Sequence, residues 1–202
     1  VRGTIVARIG VLALQGDFEA HAKVLAGLGS EVVEVRRVAE LSGLAGLIIP
    51  GGESTTLLNL MADEPWFAAL KRFKDEGGAV MGTCAGAILL AKDVVNPAQE
   101  SLGFLDLTVA RNAFGRQVES FETTLDAPSL GGAIEAVFIR APRFSALGPK
   151  VETLARYGGE PVCVREGRVL AMTFHPELTR DTKLHAYFLT LTETAALTGR
   201  FL

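Results

Sequence analysis

The segment Ala79-Val80-Met81-Gly82-Thr83-Cys84-Ala85-Gly86 places the tightest constraint on how this chain can fold. An apolar run ends in a cysteine bracketed by glycines and passes at once into a helix-forming stretch, the pattern of a strand, a sharp turn and a helix. Such a turn lifts its central side chain off the end of a sheet, and the amides and positive dipole end of the next helix point at it. Small flanking residues allow the close backbone approach that bulk would block, and they leave room for a substrate. Cys84 is thus a candidate nucleophile, and an α/β fold is expected around it.

The pattern ahead of the elbow agrees. Residues 9–14 are continuously apolar, as in a strand buried on both faces, and residues 17–28 read as a helix. Residues 31–35 and 44–49 read as strands, the latter closed by Pro50-Gly51-Gly52, and residues 54–61 and 65–76 read as helices before the nucleophile strand at 79–81. This βα order predicts a parallel sheet. Sites of such sheets gather at the carboxyl ends of the strands, so Gln15-Gly16-Asp17, Gly51-Gly52-Glu53-Ser54 and Cys84 are expected on one edge. Beyond residue 107 the pattern turns to short strands at 118–125, 133–139, 151–155, 162–165 and 169–173, several of them antiparallel or mixed, with 128–132 as a surface loop. An amphipathic helix over 181–198 places Leu184, Phe188, Leu191 and Ala195 on one face.

Composition bounds the rest. With 202 residues and 49% hydrophobic content the chain suits one well-filled domain over 1–202, with 1–8 as an N-terminal extension. A net charge of -3 with dispersed Lys and Arg argues against a nucleic-acid partner. The two cysteines, Cys84 and Cys163, lack zinc-site spacing and suit a reducing compartment, so no metal is expected. No apolar run approaches the roughly 18 residues of a membrane span, and the N-terminus lacks the apolar segment of a secretory signal. The expectation is a soluble, cytoplasmic protein.

A thiol nucleophile needs a base and a stabiliser of its thiolate. Phe174-His175-Pro176-Glu177 follows an apolar strand, so His175 is expected at a strand end, with Glu177 bonded to its second ring nitrogen to fix the tautomer. The Cys, His, Glu order differs from that of α/β-hydrolases, so analogy with them covers the turn alone. Oxyanion donors are expected from the Ala85 amide and from the glycine pair at Gly51-Gly52. Cys163 reads as a core residue, and His21 and His185, on predicted helices, read as surface or cap residues. Ser54 or Thr55 reads as a helix cap, and the glycine pair is no phosphate loop because the lysine and spacing are missing.

These residues resemble the class I glutamine amidotransferases, and among them the glutaminase subunits of pyridoxal 5'-phosphate synthase. The resemblance rests on Leu12-Ala13-Leu14-Gln15-Gly16-Asp17, Gly51-Gly52-Glu53-Ser54-Thr55, Gly82-Thr83-Cys84-Ala85-Gly86, Arg111-Asn112-Ala113-Phe114-Gly115-Arg116-Gln117, Phe138-Ile139-Arg140-Ala141-Pro142 and Phe174-His175-Pro176-Glu177-Leu178, in the family's order. The cysteine and His-Pro-Glu motifs are shared widely among amidotransferases, whereas residues 111–117 and Gln15-Gly16-Asp17 single out the pyridoxal phosphate branch. Two departures are the N-terminal extension and Met172, where a small polar residue is expected.

The resemblance implies a single three-layer α/β domain with a mostly parallel mixed sheet between helices, of the class I amidotransferase (flavodoxin-like) kind. It implies Cys84 as nucleophile with His175 and Glu177, glutamine contacts from Gly52, Glu53, Ser54, Arg111, Ile139 and Arg140, and oxyanion donors at Gly52 and Ala85. Which arginine meets the glutamine carboxylate stays open. No cofactor is implied, and the partners are L-glutamine and a synthase subunit that takes the ammonia. The alternatives are a glutaminase of another amidotransferase pathway, which residues 111–117 argue against, and a non-catalytic regulatory or redox-sensing subunit of the same fold.

Overall fold

The structure is a computed structural model that describes residues 7–111 and 120–198, the side chains of 194–198 excepted. Residues 112–117 of the branch-specific motif, with Arg116, the first residues of the strand expected from 118 and most of the 1–8 extension lie outside the described residues, as does the side chain of Ala195 on the last helix.

Twelve described strands and five α-helices follow one another as β1 (Arg8–Leu12), α1 (Phe18–Gly27), β2 (Glu31–Val35), β3 (Gly46–Ile49), α2 (Ser54–Met61), α3 (Trp66–Asp75), β4 (Ala79–Thr83), α4 (Ala85–Leu90), β5 (Ala91–Val95), β6 (Leu105–Ala110), β7 (Phe121–Ala127), β8 (Gly132–Phe138), β9 (Arg143–Ser145), β10 (Glu152–Tyr157), β11 (Glu160–Glu166), β12 (Val169–Met172) and α5 (Lys183–Thr198). The central sheet runs β10-β11-β12-β4-β3-β1-β2. From β12 to β2 every pairing is parallel, and β11 and β10 extend the sheet with antiparallel pairings.

Side chains along the central strands alternate between two cores, as the period of two requires. Ile9, Val11, Ile48 and Met81 face α1, α5 and the β7–β8 hairpin, while Leu12, Leu47, Ile49 and Val80 face α2, α3, α4 and a small sheet of β5, β6 and β9. The architecture is therefore α/β, with a mixed sheet between helical layers. Phe174, fully buried, tilts against Phe138 of the hairpin with ring centroids 5.4 Å apart. That contact anchors the residue before His175, and truncating a buried phenylalanine of this kind costs about 3–5 kcal/mol.

Several expectations shift. β1 takes in Arg8, assigned above to the extension, because Arg8 pairs with Glu31 both in the ladder and through a 2.8 Å ion pair. The 3-10 turn Pro128–Leu130 interrupts the loop expected at 128–132 and buries Leu130 against the hairpin core. No described helix is long and apolar enough to cross a membrane.

Candidate active site

The loops after β1, β3, β4 and β12 meet at the carboxyl edge of the sheet, since those four strands are neighbours and all run the same way. Cys84 sits between β4 and α4 with φ 47° and ψ -103°, a conformation costly for a residue with a Cβ and expected of a strained nucleophile turn. The glycine brackets have a steric cause. A Cβ on Gly86 would run into the Ile49 carbonyl of β3, and one on Gly82 would lie 2.7 Å from Leu90 Cδ1 of α4. The Cys84 amide is tied to Met172 O at 2.9 Å, which fixes the elbow to the strand that delivers the histidine.

His175 follows β12 and donates its backbone N–H to Val137 O at 2.8 Å, so the β8 end that carries Ile139 and Arg140 lies beside it. Its Nδ1 bonds Glu177 Oε1 at 2.8 Å, and the Cys84 side chain lies against the same Gly51 loop as its ring. Burial opposes a charge on the ring, but the interactions with Cys84 and Glu177 outweigh it and raise its pKa to about 10. The ring is thereby an imidazolium at neutral pH, the partner a thiolate requires. Cys163, by contrast, lies within β11 at 0% exposure, and burial pushes its thiol far up.

The Gly51-Gly52 loop presses directly on this pair. A Cβ on Gly51 would lie 2.5 Å from His175 Cε1 and 3.4 Å from Cys84 Cβ. Gly52 has φ 137° and abuts the Gln15 side chain, whose Oε1 accepts from the Glu53 amide at 3.2 Å. The cap of α2 is neither Ser54 nor Thr55. Glu53 has extended backbone, and its longer side chain reaches the Thr56 amide at 2.7 Å and the Thr55 amide at 3.1 Å. The Thr56 amide first, joined by the Thr55 amide and the two hydroxyls, outweighs burial and holds the Glu53 carboxyl below its usual range. Ser54 Oγ instead donates to Gln99 Oε1 at 2.8 Å, a partner with no signal in the sequence.

Arg111 donates from Nη2 to Thr55 Oγ1 at 2.8 Å and lies 3.4 Å from Glu53 Oε1, so it joins the glycine loop. Arg140 is exposed with φ 45°. Ala85 opens α4, where first-turn amides have no intrahelical acceptor. Asp17, His175 and Glu177 each offer an atom within 4.8 Å of the others, a spacing a cation could bridge. The His175 Nδ1 and Glu177 Oε1 atoms already meet in a hydrogen bond, which suits proton handling better than metal ligation.

His21 and His185 are a correction: both are fully buried rather than at the surface. Their rings meet at 2.9 Å, and His21 Nε2 lies 3.4 Å from Glu177 Oε2. A lone polar residue on an apolar helix face reads as exposed until its partner from a distant element is known.

A cysteine elbow, a histidine and a carboxylate at the carboxyl edge of a mixed α/β sheet define the class I type of glutamine amidotransferase fold. A solved structure described as a glutamine amidotransferase superposes with a TM-score of 0.86 at 54% identity, covering 92% of this chain and 98% of that one. A chain of the PurLQS structure from Thermotoga maritima shares the fold at a TM-score of 0.65 and 16% identity, covering 92% of this chain and 98% of its own. Within that class, this chain belongs to the SNO glutamine amidotransferase family, whose model matches residues 11–194. Its relatives include pyridoxal 5'-phosphate synthase subunit PdxT of Koribacter versatilis, 55% identical and covering 90% of this chain and 94% of the relative. A subunit of the same name from Thermus thermophilus is 56% identical, covering 91% of this chain and 96% of the relative.

Proposed function

We propose that this chain hydrolyses L-glutamine to L-glutamate and ammonia through Cys84, His175 and Glu177, and passes the ammonia to a synthase subunit that makes pyridoxal 5'-phosphate. The observation that carries the reading is the placement of the strained Cys84 turn beside His175, whose Nδ1 is hydrogen-bonded to buried Glu177. The name shared by the relatives favours this pathway over another amidotransferase route.

The chemistry follows from the placement of groups. The Cys84 thiolate attacks the side-chain carbonyl carbon of glutamine, and the negative charge moves to the carbonyl oxygen, where the Gly52 and Ala85 amides receive it. His175, bonded through Nδ1 to Glu177, has Nε2 free to give its proton to the departing nitrogen, which leaves as ammonia. Water then adds to the thioester, His175 takes the proton of that water, and collapse of the adduct releases glutamate and restores the Cys84 thiolate beside the imidazolium. Gly52, Glu53, Ser54, Arg111, Ile139 and Arg140 are the residues assigned to glutamine binding in this reading. The Glu53 carboxylate is committed to the cap of α2 and to Arg111, so its contribution to the substrate is its backbone. Arg111 and Arg140 supply the cations a carboxylate needs. Residues 1–202 form one amidotransferase domain in this reading, working in the cytoplasm.

The test is ammonia release from glutamine by the chain mixed with its synthase subunit. Cys84→Ala is expected to abolish it, and full activity in that variant would end the proposal.

A further inference from the structure

Behind Glu177, on the side away from His175, lies a buried polar group that the chemistry above does not use. His21 comes from α1 and His185 from α5, and each is 0% exposed. His21 Nδ1 meets His185 Nε2 at 2.9 Å, while His21 Nε2 lies 3.4 Å from both Glu177 Oε2 and Thr83 Oγ1. Glu177 therefore turns one oxygen to His175 and the other to His21. Glu177 Oε2 and His185 Nδ1 are buried without a hydrogen-bond partner.

Two tautomer arrangements satisfy the contact between the rings. With the His21 proton on Nδ1, the Nε2 lone pair lies beside a buried carboxylate with the Thr83 hydroxyl as its donor, and His185 is left with an unpartnered N–H at Nδ1. With the proton on Nε2, that N–H is donated to Thr83 Oγ1 at 3.4 Å with Glu177 Oε2 at the same distance, so its positive end also lies beside the carboxylate, and His21 Nδ1 accepts from His185 Nε2–H. Only a lone pair on His185 Nδ1 is then left over. A buried orphan donor, or a lone pair set against a carboxylate, costs more than an unused acceptor. Burial, then the neighbouring His185 and His175, lowers the His21 pKa well below its usual value, and burial takes His185 to about 4.

We propose that His185 fixes His21 as the neutral Nε2–H tautomer, and that His21 in this form is a positioning residue that holds Glu177 with Oε1 on His175. The proposal rests on Cys84, His175 and Glu177 being the reacting groups. The other titratable groups facing Glu177 are His175 and Asp17, the latter at the entrance of α1. A carboxylate held in this way supports the imidazolium on His175 and, through it, the thiolate on Cys84.

The three histidines of the chain allow a direct reading by nitrogen-15 NMR of the full-length protein. His21 and His185 are expected as neutral Nε2–H tautomers that do not titrate between about pH 6 and 8. An Nδ1–H tautomer at His21, or its titration in that range, overturns the proposal whether or not any variant folds. The functional arm is iodoacetamide alkylation of Cys84 against pH, with fully buried Cys163 giving no background in the folded chain. His21→Leu is expected to move the acid limb up by about one pH unit, roughly a tenfold slower reaction below it, and His21→Gln, which keeps an N–H donor, to restore most of the loss. In the complex with the synthase subunit, His21→Leu is expected to lower kcat while KM stays unchanged. An unmoved alkylation limb in folded His21→Leu overturns the positioning role. Ammonia release by Cys84→Ala would instead overturn the triad and leave the tautomer result standing, so the two failures are distinguishable.

Discussion

Replacing Glu177 by glutamine keeps the length and volume of the side chain and removes its charge. In the folded chain Glu177 Oε1 lies 2.8 Å from His175 Nδ1, and the carboxylate side chain is 0% exposed, so water cannot substitute for what is lost. A hydrogen bond to a charged group contributes about 1.5–3 kcal/mol, which corresponds to roughly one to two pKa units. The His175 pKa, about 10 in the native site, is therefore expected to fall by that interval, and attack by Cys84 to slow roughly ten- to hundredfold. The new amide adds a second penalty. Either orientation sets its nitrogen against an N–H, on His175 Nδ1 or on His21 Nε2. The assay is glutamate and ammonia production by the complex with the synthase subunit, followed from about pH 6 to 10, with thermal unfolding as a control for folding. The basic limb of kcat is expected to move down and the plateau to drop. An unchanged limb together with an unchanged kcat in a folded variant would refute the argument that the Glu177 charge holds the proton on His175.

Gly51→Ala would insert a methyl group 2.5 Å from His175 Cε1, so the ring must move; ammonia release is expected to fall roughly a hundredfold while circular dichroism stays native, and a normal rate would show that the loop does not touch the ring. The raised His175 pKa also links stability to pH. Because the folded value of about 10 exceeds the usual 6.5, the stabilisation is fully present below about pH 6.5 and is lost as pH rises towards 10. Urea unfolding should accordingly show the advantage of the native chain over His175→Asn shrinking from neutral to alkaline pH, and a constant difference would contradict the ion pair.

Much of the sheet was legible because continuous apolar runs bounded by turn residues have few other readings. Residues 31–35 and 54–61 coincide with β2 and α2. β5 escaped because it begins at Ala91, directly after Leu90 ends α4, and exposes Lys92 and Asp93 in its middle, so nothing in its pattern separates it from a loop. The convergence of Cys84, His175 and Glu177 was legible for a local reason, since Cys84 and His175 each close an apolar strand and Glu177 follows two residues later. The Glu53 cap was missed because glutamate ranks low among capping residues, and its geometry here depends on the extended turn after Gly52. His21 and His185 were misread because their partners, each other, Thr83 and Glu177, come from four separate parts of the chain. Burial of a polar side chain becomes readable only when the group that satisfies it is in view.

The strand beneath the nucleophile has a parallel neighbour on each side, β3 and β12, and both cores close over it. To release Cys84 from its turn the molecule must open the middle of the sheet, the region whose amides exchange with solvent only through near-global unfolding. The β7–β8 hairpin, whose end carries Ile139 and Arg140, forms a separate two-stranded sheet that leans on the core through aromatic rings. His175 is tied to that hairpin by its backbone N–H on Val137 O and through Phe174 on Phe138, so a strain that loosens the hairpin reaches the imidazole. The sulfur and the ring thus answer to different parts of the fold, one locked in the middle of the sheet and the other tied in addition to a separate hairpin.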